Sequence, residues 1–390
     1  MSSKVRKRKG GEGDEEDRIS SLSDDLIHLI LSFMDTKYAI QTCVLSKRWK
    51  SVWKSLPYLD FNHQTFPFNG DPTDGLLQRV VSFLKFIDQV LSKRHHTDLV
   101  KVCFQVQPPF CYLNTMGKVI AYAVDHNVQQ LTIQSNVSWY FMLPECFYTC
   151  KSLIALQVLD GRGDTIKFLK FMALPALKSL HIHGCSVSKE SFNFDDFSGF
   201  PNLETLELID IRYEEDNTLL YVTAPPNLKK LELSFSKDYE RNGCKVAIRA
   251  PTLMTFKYSS YASMIVYLLD DDFASLHDAY IDIHDWCIWA SKASDNEENC
   301  DKFSKHVVNW VNNLKKFRHA ESLTLSWETV AVLSMIPLFS DKNRLPFSNL
   351  KYLKMKLEQW QSCNIDKDVE MFGRVLNFFF KSSTRLKVFG

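Results

Sequence analysis

His181, His183 and Cys185 stand in the stretch HIHGC, which places two imidazoles and a thiol within five positions. Zinc or copper would accept any of the three. Helical H-x3-H and hairpin C-x2-C pairs hold ligands on one side of a turn, whereas an H-x-H-x-C row suits only an extended strand with further ligands arriving from elsewhere. The spacing therefore predicts ordinary strand residues and no metal site. Glu207 and Glu232 are a second candidate. In adjacent strands, about 4.8 Å apart, two such acids could serve as general acid and base or attract a basic peptide. No third group accompanies them, and the chain carries no G-x-S-x-G elbow, no P-loop and no G-x-G-x-x-G turn. The expectation is a protein with no catalytic residue and no cofactor. Cys146 and Cys150, and the pair Cys103 and Cys111 on either side of a Pro-Pro turn, read as small hydrophobes.

The elements that carry these residues come from a repeat. Aligned on Leu-x-x-Leu-x-Leu, the stretches LVKVCF, VQQLTI, LIALQV, LKSLHI, LETLEL, LKKLEL, LMTFKY, LHDAYI, AESLTL and LKYLKM begin at residues 99, 128, 153, 177, 203, 228, 253, 276, 320 and 350. Their successive spacings of 29, 25, 24, 26, 25, 25, 23, 44 and 30 residues fall mostly in the roughly 20–29 range of leucine-rich repeats, one short parallel strand and a return per unit. Leu177, Leu180, Ile182, Cys185 and Val187 fulfil the repeat consensus through its Asn/Cys position, so HIHGC sits in the best-formed unit.

Pro precedes several strands, as in Pro175-Ala176-Leu177 and Pro201-Asn202-Leu203. Two returns are predicted to be amphipathic helices, one with the stripe Leu76, Val80, Phe83, Leu84, Ile87 and Leu91, the other with Phe303, Val307, Trp310, Val311, Leu314 and Phe317. The 44-residue interval reads as a degenerate unit plus a loop at 292–302. At the end, Val369, Phe372, Leu376 and Phe379 mark a helix and RLKVFG a final strand.

Alternation along a strand turns the leucines inward and the residue between the last two outward. That row is Gln157, His181, Glu207, Glu232, Lys257 and Tyr280, flanked by His183, Ser234, Ser259 and Asp282. It reads either as a target-recognition surface on the concave face or as solvated polar filler.

The formal charge is +1, with 47 basic and 46 acidic residues, so no global field recruits nucleic acid or an anionic membrane. No apolar run reaches the roughly 18 residues of a spanning helix. Ten scattered cysteines and an N-terminus without an apolar signal stretch predict a reducing compartment, nucleus and/or cytoplasm. Residues 1–17, basic then acidic, are expected to be a disordered tail, and Lys4, Arg6, Lys7, Arg8 and Lys9 read as a nuclear signal or a solvated run.

After that tail, Ser23 can cap a helix with Asp24 and Asp25 in its first turn. Leu26, Ile27, Leu29, Ile30, Leu31, Phe33 and Met34 follow, more apolar surface than one stripe needs, so one face serves a local core and the other requires a partner. A second helix is expected from Thr36 to Val44 and a third from Ser46 through Trp49, Val52, Trp53 and Leu56. Lys47, Arg48, Lys50 and Lys54 read as a solvated helix face.

The segment LSDDLIHLILSFMDTKYAIQTCVLSKRWKSVWKSLPYLDF resembles the F-box of the plant F-box and leucine-rich-repeat family, most specifically at Leu45-Ser46-Lys47-Arg48-Trp49, Trp53 and Leu56. It departs from that pattern at Ser23 and Asp35, where Pro is usual. The resemblance implies an α/β repeat fold: a three-helix F-box at 18–60, a connecting helical cap at 61–98, a leucine-rich-repeat horseshoe at 99–358 with parallel strands on its concave face, and an FBD-like or truncated cap at 359–390. It implies the substrate-recognition subunit of an SCF-type E3 ubiquitin ligase. A Skp-family adaptor, and through it a cullin–RING ligase, would bind at or beside Leu22, Leu26, Ile27, Ile30, Leu31, Val44, Leu45 and Trp49. An unknown target protein would bind Gln157, His181, His183, Glu207, Glu232, Lys257 and Tyr280. A scaffold outside the ubiquitin pathway and a small-molecule-gated receptor are the alternatives.

Overall fold

The computed structural model describes residues 19, 21–67, 74–106, 113–135, 141–160, 166–167, 172–184, 186–187, 197–213, 219–236, 245–261, 264–270, 273–284, 297–334, 347, 349–356, 373–377, 379–380 and 386–389. The N-terminal module has three α-helices, α1 (Asp24–Leu31), α2 (Thr36–Gln41) and α3 (Trp49–Val52), with single 3-10 turns at Thr42–Val44 and Trp53–Ser55. Ser23 caps α1 by accepting the amide hydrogen of Leu26 at 3.3 Å, as its position predicts. Asp35 caps α2 by accepting from the Lys37 amide at 2.7 Å. The third helix begins at Trp49, not Ser46; the Ser46 hydroxyl accepts from the Trp49 amide and forms the turn before it.

Beyond the module, the repeats supply strands, and in several of these buried and half-buried positions alternate residue by residue, as in SLHIH and KLELSF. Among the described residues, twelve strands follow one another across one sheet: β1 (Tyr58–Asn62), β2 (Lys101–Val106), β3 (Gln130–Ser135), β4 (Ala155–Asp160), β5 (Ser179–His183), β6 (Thr205–Tyr213), β7 (Lys230–Phe235), β8 (Thr255–Tyr261), β9 (Asp278–His284), β10 (Ser322–Ser326), β11 (Tyr352–Lys356) and β12 (Lys387–Phe389). All neighbours are parallel. The short strand Ser186–Val187 adds beside β6. Parallel pairing requires a crossover between successive strands, which is what a repeat of about 25 residues provides.

Register makes the core continuous. Leu59, Val102, Leu131, Leu156, Leu180, Leu206, Leu231, Phe256, Ala279, Leu323 and Leu353 pair strand to strand in an unbroken inward row, and all are buried. Each such side chain contributes about 1.5–3 kcal/mol of burial, but only because its neighbours cover both of its sides.

The returns differ along the stack. Helix α4 (Asp74–Lys93) buries Val80, Phe83 and Ile87 of its predicted stripe and leaves Leu76, Leu84 and Leu91 half-buried, while Val90, outside that stripe, is buried as well. A further helix, α5 (Leu113–Asp125), lies between β2 and β3. In the middle repeats the returns carry strands: Leu219–Thr223, Lys245–Arg249 and Ile265–Leu268 form a second parallel sheet, and Phe141–Met142 pairs with Ile166–Lys167. Helix α6 (Glu297–Lys316) closes the edge of the second sheet. Asn313 donates to the Val266 carbonyl at 2.8 Å and accepts from the Leu268 amide at 3.3 Å, and Lys316 donates to the Leu268 and Asp270 carbonyls at 2.6 and 2.8 Å. Side chains thus take the place of a fourth strand.

Among the described residues, the 44-residue interval holds no additional repeat strand. β9 pairs directly with β10, Asp278 opposite Ser322, so the interval is one long return built around α6. Near the end of the chain, residues 373–377 are helical and Val375 and Phe379 are buried. Val369 and Phe372 of the expected stripe lie outside the described residues. Another short α-helix, α7 (Trp327–Ser334), starts directly from the end of β10.

Neighbouring repeats are also stitched at the turns before their strands. Asn202 donates to the Pro175 carbonyl at 2.8 Å, Asn227 to the Pro201 carbonyl at 2.9 Å, and Thr252 to the Pro226 carbonyl at 3.0 Å. The residue after Pro in each turn therefore reaches back one repeat.

Candidate functional site

Two surfaces carry the residues singled out by sequence. On the N-terminal module, Ile27, Leu31, Ala39, Trp49, Val52 and Leu56 form a small core separate from that of the repeats, with Leu22 and Tyr58 packed against it. Ile27 and Leu31 are one helical turn apart on the inner face of α1. Of the adaptor-binding residues expected from sequence, then, Ile27, Leu31 and Trp49 are core: Ile27 is 0% and Trp49 4% exposed. They support the surface and do not form it. Leu26, Ile30, Val44 and Leu45 are exposed.

Five residues outside the expected set share that exposure: Ile19, Leu29, Phe33, Met34 and Tyr38. Phe33 and Val44, each 84% exposed, are the extreme cases. The apolar run of α1 signalled such a patch but not which members would face outward, because both faces of the helix are apolar.

Polar links also hold the module together. Arg48 forms a two-pronged ion pair with Asp24, at 2.5 Å from Nη2 and 3.1 Å from Nε, across the start of α1. The pair is solvent-exposed, so it is compatible with the solvated helix face expected from sequence. His28 Nε2 lies 3.2 Å from the Val52 carbonyl, joining α1 to α3.

Further links join the module to the sheet. Thr36 accepts from the Asp60 amide at 2.8 Å, Asp35 from the Asn62 amide at 3.3 Å, and the Lys37 ammonium reaches the Thr65 carbonyl at 2.5 Å while lying over the Phe66 ring. Burial, with the Asp60 carboxylate nearby, raises the Asp35 carboxyl to about 6 despite its two amide bonds. Burial and the Arg79 charge lower His63 to about 4, and its ring meets Phe83 edge-on. The boundary expected at residue 60 falls inside β1.

The second surface is the open face of the sheet. Register sets Asp60, Cys103, Thr132, Gln157, His181, Glu207, Glu232, Lys257, Tyr280, Thr324 and Lys354 side by side in one row across β1–β11. Every residue named from sequence for this row is present in it, and His183 lies two positions along β5 from His181.

Its central charges are already paired. Glu207 binds both His181 Nδ1 and the Lys230 ammonium, while Glu232 lies 3.8 Å from Lys230 and 3.2 Å from Lys257. Partial burial acts to raise the Glu207 carboxyl, and the Lys230 and His181 contacts outweigh it and hold the group below its ordinary value. The other nitrogen of His181, Nε2, is 2.7 Å from the Ser179 hydroxyl. Two acids so occupied are poor candidates for acid–base work or for recruiting a basic peptide. At the N-terminal end of the row, burial first and Asp60 second push the Cys103 thiol up to about 12, leaving it an unreactive thiol.

HIHGC is now placed. His181 and His183 lie on the same face of β5, and Gly184 ends the strand at φ 74°, a left-handed conformation that favours glycine, with its amide donating to the Ile209 carbonyl at 2.8 Å. Cys185 and Cys111 lie outside the described residues. Among the described residues, no group of three His, Cys, Asp or Glu side chains is placed to hold a metal ion, and no helix is long and apolar enough to cross a membrane.

The class these two surfaces define is an F-box joined to a leucine-rich-repeat solenoid. The F-box domain family matches residues 19–61, and plant F-box/LRR-repeat proteins are homologues over most of the chain. F-box/LRR-repeat protein At5g02910 of Arabidopsis thaliana is 28% identical over 347 residues, covering 88% of this chain and 67% of the relative. F-box/LRR-repeat protein At3g59200 of the same plant is 28% identical over 344 residues, covering 85% of this chain and 64% of the relative. A putative F-box/FBD/LRR-repeat protein of that plant, At4g13965, is 29% identical over 256 residues, 65% of this chain and 56% of the relative. The chain thus spans about two thirds or less of the length of these relatives. An F-box implies binding to a Skp-type adaptor.

Proposed function

We propose that this chain is the substrate-recognition subunit of an SCF-type E3 ubiquitin ligase acting in the nucleus and/or cytoplasm. The module at 18–60 binds a Skp-family adaptor and through it a cullin–RING ligase, and the open face of the repeats binds a target protein. Ubiquitin transfer is done by other subunits, so the chain contributes no catalytic group. The observation that carries this reading is the apolar patch formed by Leu26, Leu29, Ile30, Phe33, Val44 and Leu45, exposed on a module whose own core is filled from the opposite side of α1. Four or five such side chains, at about 1.5–3 kcal/mol each when covered, make a substantial interface core.

The test is Val44→Asp with Leu45→Asp in the full chain. Both side chains are exposed, so folding and binding separate: the melting curve stays within about 2 °C of wild type while adaptor co-purification is lost. Adaptor binding retained by the double variant overturns the assignment. Trp49 is unsuitable for this purpose, because a buried Trp→Ala change costs about 3–5 kcal/mol of stability and confounds the two effects.

A further inference from the structure

The chain leaving α4 runs through His95, His96, Thr97 and Asp98 toward β2, and the chain leaving α5 turns through His126 and Asn127 toward β3. The two connectors meet. Asn127, in a left-handed conformation at φ 52°, donates from its side chain to the Asp98 carboxylate at 2.9 Å, and the Leu99 amide donates to the His126 carbonyl at 2.8 Å. Beside these contacts, His96 Nδ1 lies 3.1 Å from His126 Nε2.

Its surroundings fix His126. The ring is stacked on Tyr122 with centroids 3.9 Å apart, and its Nδ1 is 2.8 Å from the Tyr122 carbonyl. A carbonyl only accepts, so Nδ1 carries the hydrogen and, in the neutral ring, Nε2 carries the lone pair. An imidazole held by a backbone carbonyl through one nitrogen, with the other presenting its lone pair, has the arrangement of a metal-ligating histidine. His126 is 9% exposed, so binding through it costs little further side-chain ordering. His96 is exposed, so its hydrogen can pass from Nδ1 to Nε2, where water accepts it, and Nδ1 then offers a second lone pair with no net loss of a proton.

The separation of the nitrogens suits one shared ion. Zinc takes imidazole nitrogen at about 2.0–2.1 Å, which sets two such ligands about 3.3 Å apart at the tetrahedral angle and about 2.9 Å apart at a right angle. The observed 3.1 Å lies between these values. The contact that an ion replaces is a poor one. Ring centroids only 4.5 Å apart, with planes at 57°, are too close for the two imidazoles to meet end to end, so their hydrogen bond is bent. His181 on the open face differs, because both of its nitrogens are already engaged, by Glu207 and by Ser179.

We propose that His96 and His126 bind a divalent transition-metal ion of the zinc and copper class, with water completing the coordination. Imidazole suits these ions, whereas calcium and magnesium take oxygen. Two protein ligands are fewer than the four of a structural zinc site, so the ion binds reversibly. Its position gives binding a consequence for the fold. The His95 amide donates to the Lys54 carbonyl at 3.0 Å and Arg94 Nη1 to the Trp53 carbonyl at 3.4 Å, so the connector that carries His96 also holds the end of the F-box module. The ion ties that connector to the turn between α5 and β3, whatever the two surfaces described above bind.

The test is isothermal titration of the full chain with zinc sulfate, run beside its melting curve. Zinc should bind wild type saturably and raise its melting temperature. His96→Asn, a change at an exposed side chain, should weaken binding by about tenfold or more and remove the thermal shift while the metal-free melting curve stays as in wild type. His95→Asn should leave the affinity within about twofold of wild type. Copper(II) gives a second readout, since its electron paramagnetic resonance spectrum should show two bound imidazole nitrogens in wild type and lose that signature in His96→Asn. Zinc affinity unchanged by His96→Asn, or weakened equally by His95→Asn, would mean adventitious binding at surface histidines only and overturns the proposal.

Discussion

The Thr36 hydroxyl accepts the backbone amide hydrogen of Asp60 across 2.8 Å, joining the first residue of an F-box helix to the middle of the first sheet strand. Thr36 is buried, so nothing in the solvent replaces it if it is lost. With Asp35 bound to the Asn62 amide and the Pro57 carbonyl accepting from Val100 and Lys101, the module and the solenoid share a hydrogen-bonded seam. Thr36→Val keeps the shape and removes the acceptor. It should cost about 1–3 kcal/mol, read as a lower urea midpoint, without reducing adaptor binding by the folded protein.

Asp35 and His63 are expected to oppose each other in their dependence on pH. The folded-state value of Asp35, about 6, lies above the ordinary 3.8, so the folded protein binds the extra proton between those values and this group's contribution falls as pH rises from about 4 to 6. The folded-state value of His63, about 4, lies below 6.5, so the unfolded chain binds the extra proton and this contribution falls as pH drops from about 6.5 to 4. Wild type should therefore show a muted slope. Asp35→Asn keeps an oxygen for the Lys37 amide but gives up the acceptor for the Asn62 amide, so the readout is the slope: its stability should fall more steeply than that of wild type toward pH 4. His63→Phe should instead lose stability as pH rises. Denaturant midpoints between pH 4 and 7 decide it, and parallel profiles for all three proteins contradict the assignment.

Lys230 is the keystone of the central row, touching Glu207 and Glu232 at once. Lys230→Met leaves two carboxylates in adjacent strands with less compensation and should destabilise the protein by about 1–2 kcal/mol at neutral pH. The difference from wild type should shrink below about pH 4, once both acids are protonated.

The repeat-to-repeat bonds of Asn202 and Asn227 predict a graded effect. Asn202→Ala and Asn227→Ala should each cost up to about 1 kcal/mol, since the bonds are exposed. Ala176 occupies the same position one repeat earlier, after Pro175. Ala176→Asn should add a rung and raise the urea midpoint slightly, whereas an unchanged or lower midpoint would show that the preceding turn offers no acceptor.

Legibility in the sequence followed the range of the interactions. The strands at 179–183 and 230–235 were readable because alternation of apolar and polar residues is local, and the near-constant spacing then aligned Gln157 through Tyr280 in one row. Pairing across the row was not readable, because Lys230 lies in the same unit as Glu232 yet spends its charge on Glu207 of the previous one. The same holds for Asn202, whose acceptor is 27 residues away. Return strands such as Lys245–Arg249 escaped notice because each is stabilised by its neighbours and not by its own pattern. In α1 the run of apolar residues announced a patch, while the choice of Ile27 and Leu31 for the inside depended on where Trp49 packs.

β1 is at once the tail of the F-box and the first rung of the solenoid. Shuffling F-boxes between receptors is then not an exchange of beads on a string. A foreign F-box would have to present a strand in register with Lys101–Val106 and a hydroxyl where Thr36 stands, so chimeras should be grafted after residue 62 and not at the end of the helices. A clean removal of the module, for its part, would strip the cover from the first edge of the sheet and invite self-association of the remainder.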